Sequence, residues 1–225
     1  MQMRDYLTRY NSLASEDAFY NIPYRKEFLL SRVGRGKRVL DVGCLGGKVS
    51  RLIMDQNNEV WGVEVNPTAA SVAEKRGIRV KIANVEDGIP FEAGAFDIVS
   101  AGEVVESLYD TKYFFLECHR VLKDNGLLIF STPNLNSLKN RIRVAMGGYP
   151  EMVGAYPEDH FGEHVRVLNL KKIRELCRQT GFVLEDIAGI PSLEAHGRLV
   201  DTSLEWVGRL LPSFSKMLMI SARRV

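Results

Sequence analysis

The stretch Val39-Leu40-Asp41-Val42-Gly43-Cys44-Leu45-Gly46-Gly47 carries an apolar run into a glycine-rich turn. Glycines there accept left-handed dihedrals and let a ligand approach the backbone. Glu64 stands 21 residues beyond Gly43, at the end of the next apolar run. A carboxylate at that place can accept hydrogen bonds from both hydroxyls of a ribose. The dinucleotide fingerprint requires G-x-G-x-x-G. In the frame from Gly43, Leu45 and Lys48 occupy the second and third glycine positions. Leu45 would crowd a pyrophosphate, which disfavours a nicotinamide-dependent oxidoreductase. A ligand with ribose and adenine but no phosphates suits the turn better.

Titratable candidates follow. Glu103 and Glu106 are three residues apart and would share a face if that segment were helical. Glu103 is expected as a cofactor or loop contact, and Glu106 as either a base or a solvated carboxylate. His160 and His164 flank Phe161-Gly162-Glu163. Each is a catalytic candidate or a structural histidine. Their i, i+4 spacing could suit a metal, but the intervening glycine argues against a helix and no cysteine or carboxylate pattern accompanies them. No metal is expected. His119 and His196 receive no role.

The elements that would position these groups alternate. Residues 39–42, 59–63, 78–82, 96–100 and 127–130 read as strands. Residues 47–56, 67–76 and 111–122 read as helices, with Asn66 as a cap and Pro67 in the first turn. Such alternation implies parallel strands joined by right-handed crossovers, with helices on both faces. Residues 134–168 are rich in glycine and proline and read as an insertion or lid holding a short helix over 135–146. Lys139, Arg141 and Arg143 make that helix basic and amphipathic, either a solvated face or a contact for an anionic substrate or membrane surface. Tyr149, Tyr156 and Phe161 either line a pocket or pack the insertion. A helix over 169–179, a strand over 182–187, a helix over 203–211 and a strand over 214–221 complete the chain, with Met217 and Met219 in the core. Residues 5–19, with Tyr10, Tyr20 and Tyr24, are a candidate lid over the ligand.

The 225 residues suffice for one domain, 1–225, with a full core. Lys+Arg total 30 and Asp+Glu 28, so a net charge of +2 gives no phosphate-tracking surface for nucleic acid. Cys44, Cys118 and Cys177 are an odd and scattered set, which suits a reducing compartment. The first 20 residues lack a signal-peptide core, and no run approaches the ~20 apolar residues of a membrane span. A cytoplasmic location is expected, with peripheral membrane contact and oligomeric state left open.

Taken together, these motifs resemble the class I S-adenosylmethionine (SAM) dependent methyltransferases, and within them the small-molecule group that includes ubiquinone-biosynthesis-type enzymes. VLDVGCLGG is similar to that family's VLDVGCGxG, with Leu45 in place of the middle glycine. The resemblance implies cofactor contacts from Asp41, Gly43, Cys44, Leu45 and Gly47. It implies a ribose contact from Glu64 and an adenine contact from Val65. Asn84, Val85 and Glu86 resemble the loop that reads the adenine edge, and Gly102 and Glu103 the loop under the methionine part. Leu122-Lys123-Asp124-Asn125-Gly126 resembles the LKPGG turn. Where relatives often read E-x-x-E-H-L, this chain has Ser107 in place of histidine. The implied fold is a Rossmann-like, doubly wound α/β sheet of seven strands in order 3-2-1-4-5-7-6, the last antiparallel. The implied activity is SAM-dependent methyl transfer to an O, N or C acceptor on a small molecule. A non-catalytic SAM- or nucleoside-binding protein is the alternative. The chain lacks D/N-P-P-Y after the fourth strand and carries Ser131-Thr132-Pro133-Asn134 after the fifth, unlike adenine-N6 and cytosine-C5 enzymes.

Overall fold

The computed structural model describes residues 23–153, 164–190, 194–195, 198–199 and 210–225. His160, His196, Tyr10, Tyr20, Tyr156, Phe161, the lid expected at 5–19 and most of the helix expected at 203–211 lie outside the described residues. So does the middle of the 134–168 insertion.

Seven strands form one sheet: β1 (Arg38–Val42), β2 (Glu59–Glu64), β3 (Arg79–Ile82), β4 (Phe96–Gly102), β5 (Leu122–Pro133), β6 (Phe182–Ile190) and β7 (Met217–Arg224). Their spatial order is β3-β2-β1-β4-β5-β7-β6. β1 to β5 pair in parallel, and β7 runs antiparallel to both β5 and β6. This is the order and the reversed last strand that the resemblance implies.

Alternation along the central strands decides which helix covers which face. Leu40, Val42, Leu128, Phe130, Leu218 and Ile220 point into one buried cluster. There they meet Phe114, Phe115 and Cys118 of α4 (Thr111–Val121) and Ile173 of α6 (Leu170–Gln179). Val39, Leu127, Ile129, Met217 and Met219 point the other way, against Phe28 and Leu29 of α1 (Pro23–Val33) and Ile53 of α2 (Lys48–Met54). A third helix, α3 (Pro67–Lys75), packs Ala73 on Cys44 and Ile78, and Asn66 caps it by accepting from the amides of Thr68 and Ala69.

Several boundaries depart from expectation. α1 carries no pattern strong enough to be read from sequence, yet Phe28, Leu29 and Val33 bury it. β5 begins at Leu122 rather than 127, because Leu122 already pairs with Phe96 before a left-handed Asn125 (φ 59) kinks the chain. The last strand starts at Met217 rather than 214, since Pro212–Phe214 closes a 3-10 turn. The helix expected over 135–146 is α5 (Leu138–Ala145), with Ser137 as its cap. No helix among the described residues is long and apolar enough to cross a membrane.

Candidate active site

At the carboxyl ends of β1 and β2 the glycine turn is pinned to the sheet. The amides of Gly43 and Cys44 both donate to the Val63 carbonyl, at 2.8 and 3.2 Å. Gly43 has φ 67, and a Cβ there would lie 2.8 Å from a methyl of Val104, so the turn abuts the loop after β4. Gly47 (φ 76) caps α2, and a Cβ on it would strike Ala73 of α3. Leu45 also takes a left-handed conformation, φ 47, where a side chain costs roughly 1–2 kcal/mol. That cost explains why the resembled motif has glycine at this position.

Glu64 faces the turn. One carboxylate oxygen accepts from the Leu45 amide and the other from the Asn66 amide, each at 2.9 Å. The residue is only 1% exposed. Burial pushes its carboxyl up, and these amides pull it back. With so little of the carboxylate exposed, a ribose hydroxyl reaches it only when a covering group moves. Val65 and Ile82 stand exposed just beyond it, at the ends of β2 and β3. Together they form a polar seat with an apolar shelf, which suits a ribose and a flat base.

Asp41 lies beneath the turn, 4% exposed, and accepts a 2.6 Å bond from the Ser50 hydroxyl of α2. Burial raises its carboxyl to about 6; the Ser50 and Ser100 hydroxyls lower it, and the charge of Glu64 raises it. Cys44 is buried and its thiol is pushed up by burial, so it is a packing group rather than a nucleophile. Its Sγ sits where a Cβ on Gly62 would fall, at 2.5 Å. Two crowded carboxylates favour a ligand that brings positive charge.

The adenine-side loop is built by its own side chains. Asn84 accepts from the Glu86 amide, Val85 is buried in the core, and Glu86 accepts a 2.6 Å bond from the Tyr109 amide. Glu86 therefore ties this loop to the one after β4. Arg120 donates to the carbonyls of Ile89 and Phe91 and holds the remainder in place.

Beyond Gly102, Glu103 adopts φ 55 and turns back over the sheet, accepting a 2.7 Å bond from the Ser131 hydroxyl. Burial raises its carboxyl, opposed by the positive charge of Arg25 from α1 and by the Ser131 bond. Glu106 lies in a 3-10 turn (Val105–Ser107) and is 0% exposed. It is not the solvated carboxylate weighed from sequence, because its turn drives the side chain under the loop. Among the described residues no hydrogen bond of good geometry reaches either of its oxygens, although the Thr132 hydroxyl and the Glu103 carboxyl are near enough to affect its titration. Burial first, then the charge of Glu103, holds it well above the usual carboxylate range. Arg25, Ser131, Thr132 and Ile82 were missed by sequence reasoning. The last three were findable as strand-end residues, whereas Arg25 carries no local signal.

His164 donates from Nδ1 to the Met152 carbonyl at 2.8 Å, since a carbonyl can only accept. That contact latches the two described ends of the insertion. The Arg166 amide donates to the Glu106 carbonyl, and the Leu135 amide to that of Leu168, so residues 164–168 wall the acid pair. Among the described residues no group of three or more His, Cys, Asp or Glu is arranged to hold a metal.

A methyltransferase-domain family profile matches residues 40–130. A ubiquinone biosynthesis O-methyltransferase of Xanthomonas axonopodis pv. citri is 29% identical over 75% of this chain and 72% of its own length. A Mycolicibacterium smegmatis protein named as a probable S-adenosylmethionine-dependent methyltransferase is 31% identical over 79% of this chain and 64% of its own. Among solved structures, the Burkholderia thailandensis 1,6-didemethyltoxoflavin-N1-methyltransferase with bound S-adenosylhomocysteine superposes with TM-score 0.67 at 16% identity, covering 99% of this chain and 86% of that one. The Streptomyces coelicolor geranyl diphosphate C-methyltransferase gives TM-score 0.60 at 17% identity, covering 90% and 80%. Relatives and neighbours named for O, N and C transfer share one architecture, so the fold does not choose the acceptor atom.

Proposed function

We propose, from the premise that this chain is a class I SAM-dependent methyltransferase, that its acceptor is a hydroxyl of a small molecule, with Glu103 as the proton acceptor. The observation that carries this reading is the Glu103–Glu106 pair, a half-buried and a buried carboxyl beside the glycine turn, backed by Arg25. An attacking hydroxyl must lose a proton, and a carboxylate with an elevated pKa is a better base than a solvated one. A carbanion acceptor would need a base as well, but the O-transfer names among the sequence relatives favour oxygen.

SAM supplies the methyl group on a cationic sulfur and leaves as a neutral thioether. Glu64 and Val65 would hold its ribose and base, and Asp41 would face its positive charge. Glu103 is half-buried and reachable, so it touches the acceptor. Glu106 lies behind it as a positioning residue, and its proton leaves Glu103 as the ionised member. The walls at 103–110 and 164–168 exclude water, which strengthens each of these interactions.

The test uses methyl-labelled SAM with hydroxylated small molecules and a metabolite extract, read by mass spectrometry. O-methylated product is expected, and Glu103→Gln should lower kcat/KM by about 10²–10⁴-fold while SAM affinity stays within twofold. Product methylated only on nitrogen or carbon would overturn the reading, as would full activity in Glu103→Gln.

A further inference from the structure

We propose that α5 and the turn after it dock this face of the protein onto an anionic lipid surface. The helix is amphipathic in the inverted sense. Its buried residue is polar: Asn140 donates to the carbonyls of Leu135 and Glu151 and accepts from the Glu151 amide. Its apolar residues look outward. Leu138, Ile142 and Met146 recur every four residues and are 50%, 51% and 80% exposed. At ~100° per residue, Ile142 lies about 160° around the helix from Asn140. Tyr149 extends the stripe, and Phe214 and Leu211 are exposed on the neighbouring 3-10 turn, where Arg141 stacks over the Phe214 ring at 4.4 Å.

Isolated apolar side chains on a surface mean little, but a contiguous patch needs a partner. Charge identifies this one. On the same wheel Arg141 borders the stripe on one side, and Lys139 and Arg143 on the other. Among the described residues Glu151 pairs with Lys139 and Arg143, leaving three cations around one carboxylate. Lys171 and Arg174 of α6 line the same cleft of about 290 Å³ as Arg141 and extend the positive field. An apolar stripe between two rows of cations matches a helix lying in the plane of an anionic interface. Two-fold pairing with a second copy would instead bring these rows against like charges, which is unfavourable.

The experiment is co-sedimentation of the whole chain with vesicles of phosphatidylcholine alone and of phosphatidylcholine with phosphatidylglycerol. Binding is expected only to the anionic vesicles, falling about tenfold or more as salt rises from low to high ionic strength. The double variant Ile142→Glu/Met146→Glu should lose about tenfold or more of the partition. Its far-ultraviolet circular dichroism and SAM affinity should match the parent, because both positions lie away from the cofactor turn. A Met146→Trp variant gives a second readout that needs no disruptive change: its emission should shift to the blue with anionic vesicles. The proposal fails if neutral vesicles bind equally well, if neither variant responds, or if the parent ignores vesicles and forms dimers that the double variant abolishes.

Discussion

Asp41→Asn measures how much folding free energy is held against the charge beneath the glycine turn. In the folded chain this carboxyl titrates at about 6, against a reference value of 3.8, because burial outweighs its two hydroxyl donors. A raised carboxyl binds its proton more tightly when folded. Stability is therefore greatest below the unfolded pKa and falls as pH rises toward the folded one. The full loss is about 3 kcal/mol, of which roughly two-thirds falls between pH 4.5 and 7. Asparagine mimics the protonated acid and can still accept from Ser50. Urea unfolding of both proteins from pH 4 to 8 should show the variant gaining on the parent by that amount, other titrations cancelling in the difference. Titration calorimetry should show the reverse for ligand: above pH 6 the variant binds cationic SAM more weakly, and near pH 5 the two converge. Parallel stability curves would refute the burial argument, and equal SAM affinity at every pH would remove Asp41 from the site.

Glu64→Ala should weaken SAM binding by ~1–3 kcal/mol and also lower the unfolding midpoint, since the amides of Leu45 and Asn66 lose their acceptor; calorimetry and urea melts separate the two effects. Leu45→Gly should leave stability unchanged or slightly raised, because relief of the left-handed strain offsets glycine's entropy cost of roughly 0.5–1 kcal/mol; a loss of the full glycine penalty would argue that the leucine is unstrained. Gly62→Ala should cost about 1–3 kcal/mol in a chemical melt, since its methyl would meet the Cys44 sulfur. Arg25→Met should move the base limb of the kcat/KM–pH profile upward, because loss of the cation raises the carboxyl that must ionise; an unmoved limb would detach Arg25 from the pair.

Local patterning made much of this protein legible. Apolar runs of strand length, alternation along Ile78 to Ile82, the Asn66-Pro67 cap and the glycine turn are short-range features, so strand order and cofactor class followed once the motifs were matched in sequence. Position 64 was legible as a carboxylate at a strand end. Its near-complete enclosure was not, because that depends on the Leu45 and Asn66 amides converging from two elements.

The same division holds at the acid pair and on α5. Sequence spacing brought Glu103 and Glu106 to attention, but a 3-10 turn rather than a helix sends one inward and leaves the other reachable. Arg25 meets them only because α1 packs its apolar residues across the far side of the chain's fold. The four-residue spacing of Leu138, Ile142 and Met146 would ordinarily mean a core-facing helix. The hydrogen bonds of Asn140 reverse that orientation. Backbone propensity and periodicity act over a few residues and are written in the chain; burial, charge coupling and the direction a helix faces arise from contacts between distant segments, and only the folded structure decides them.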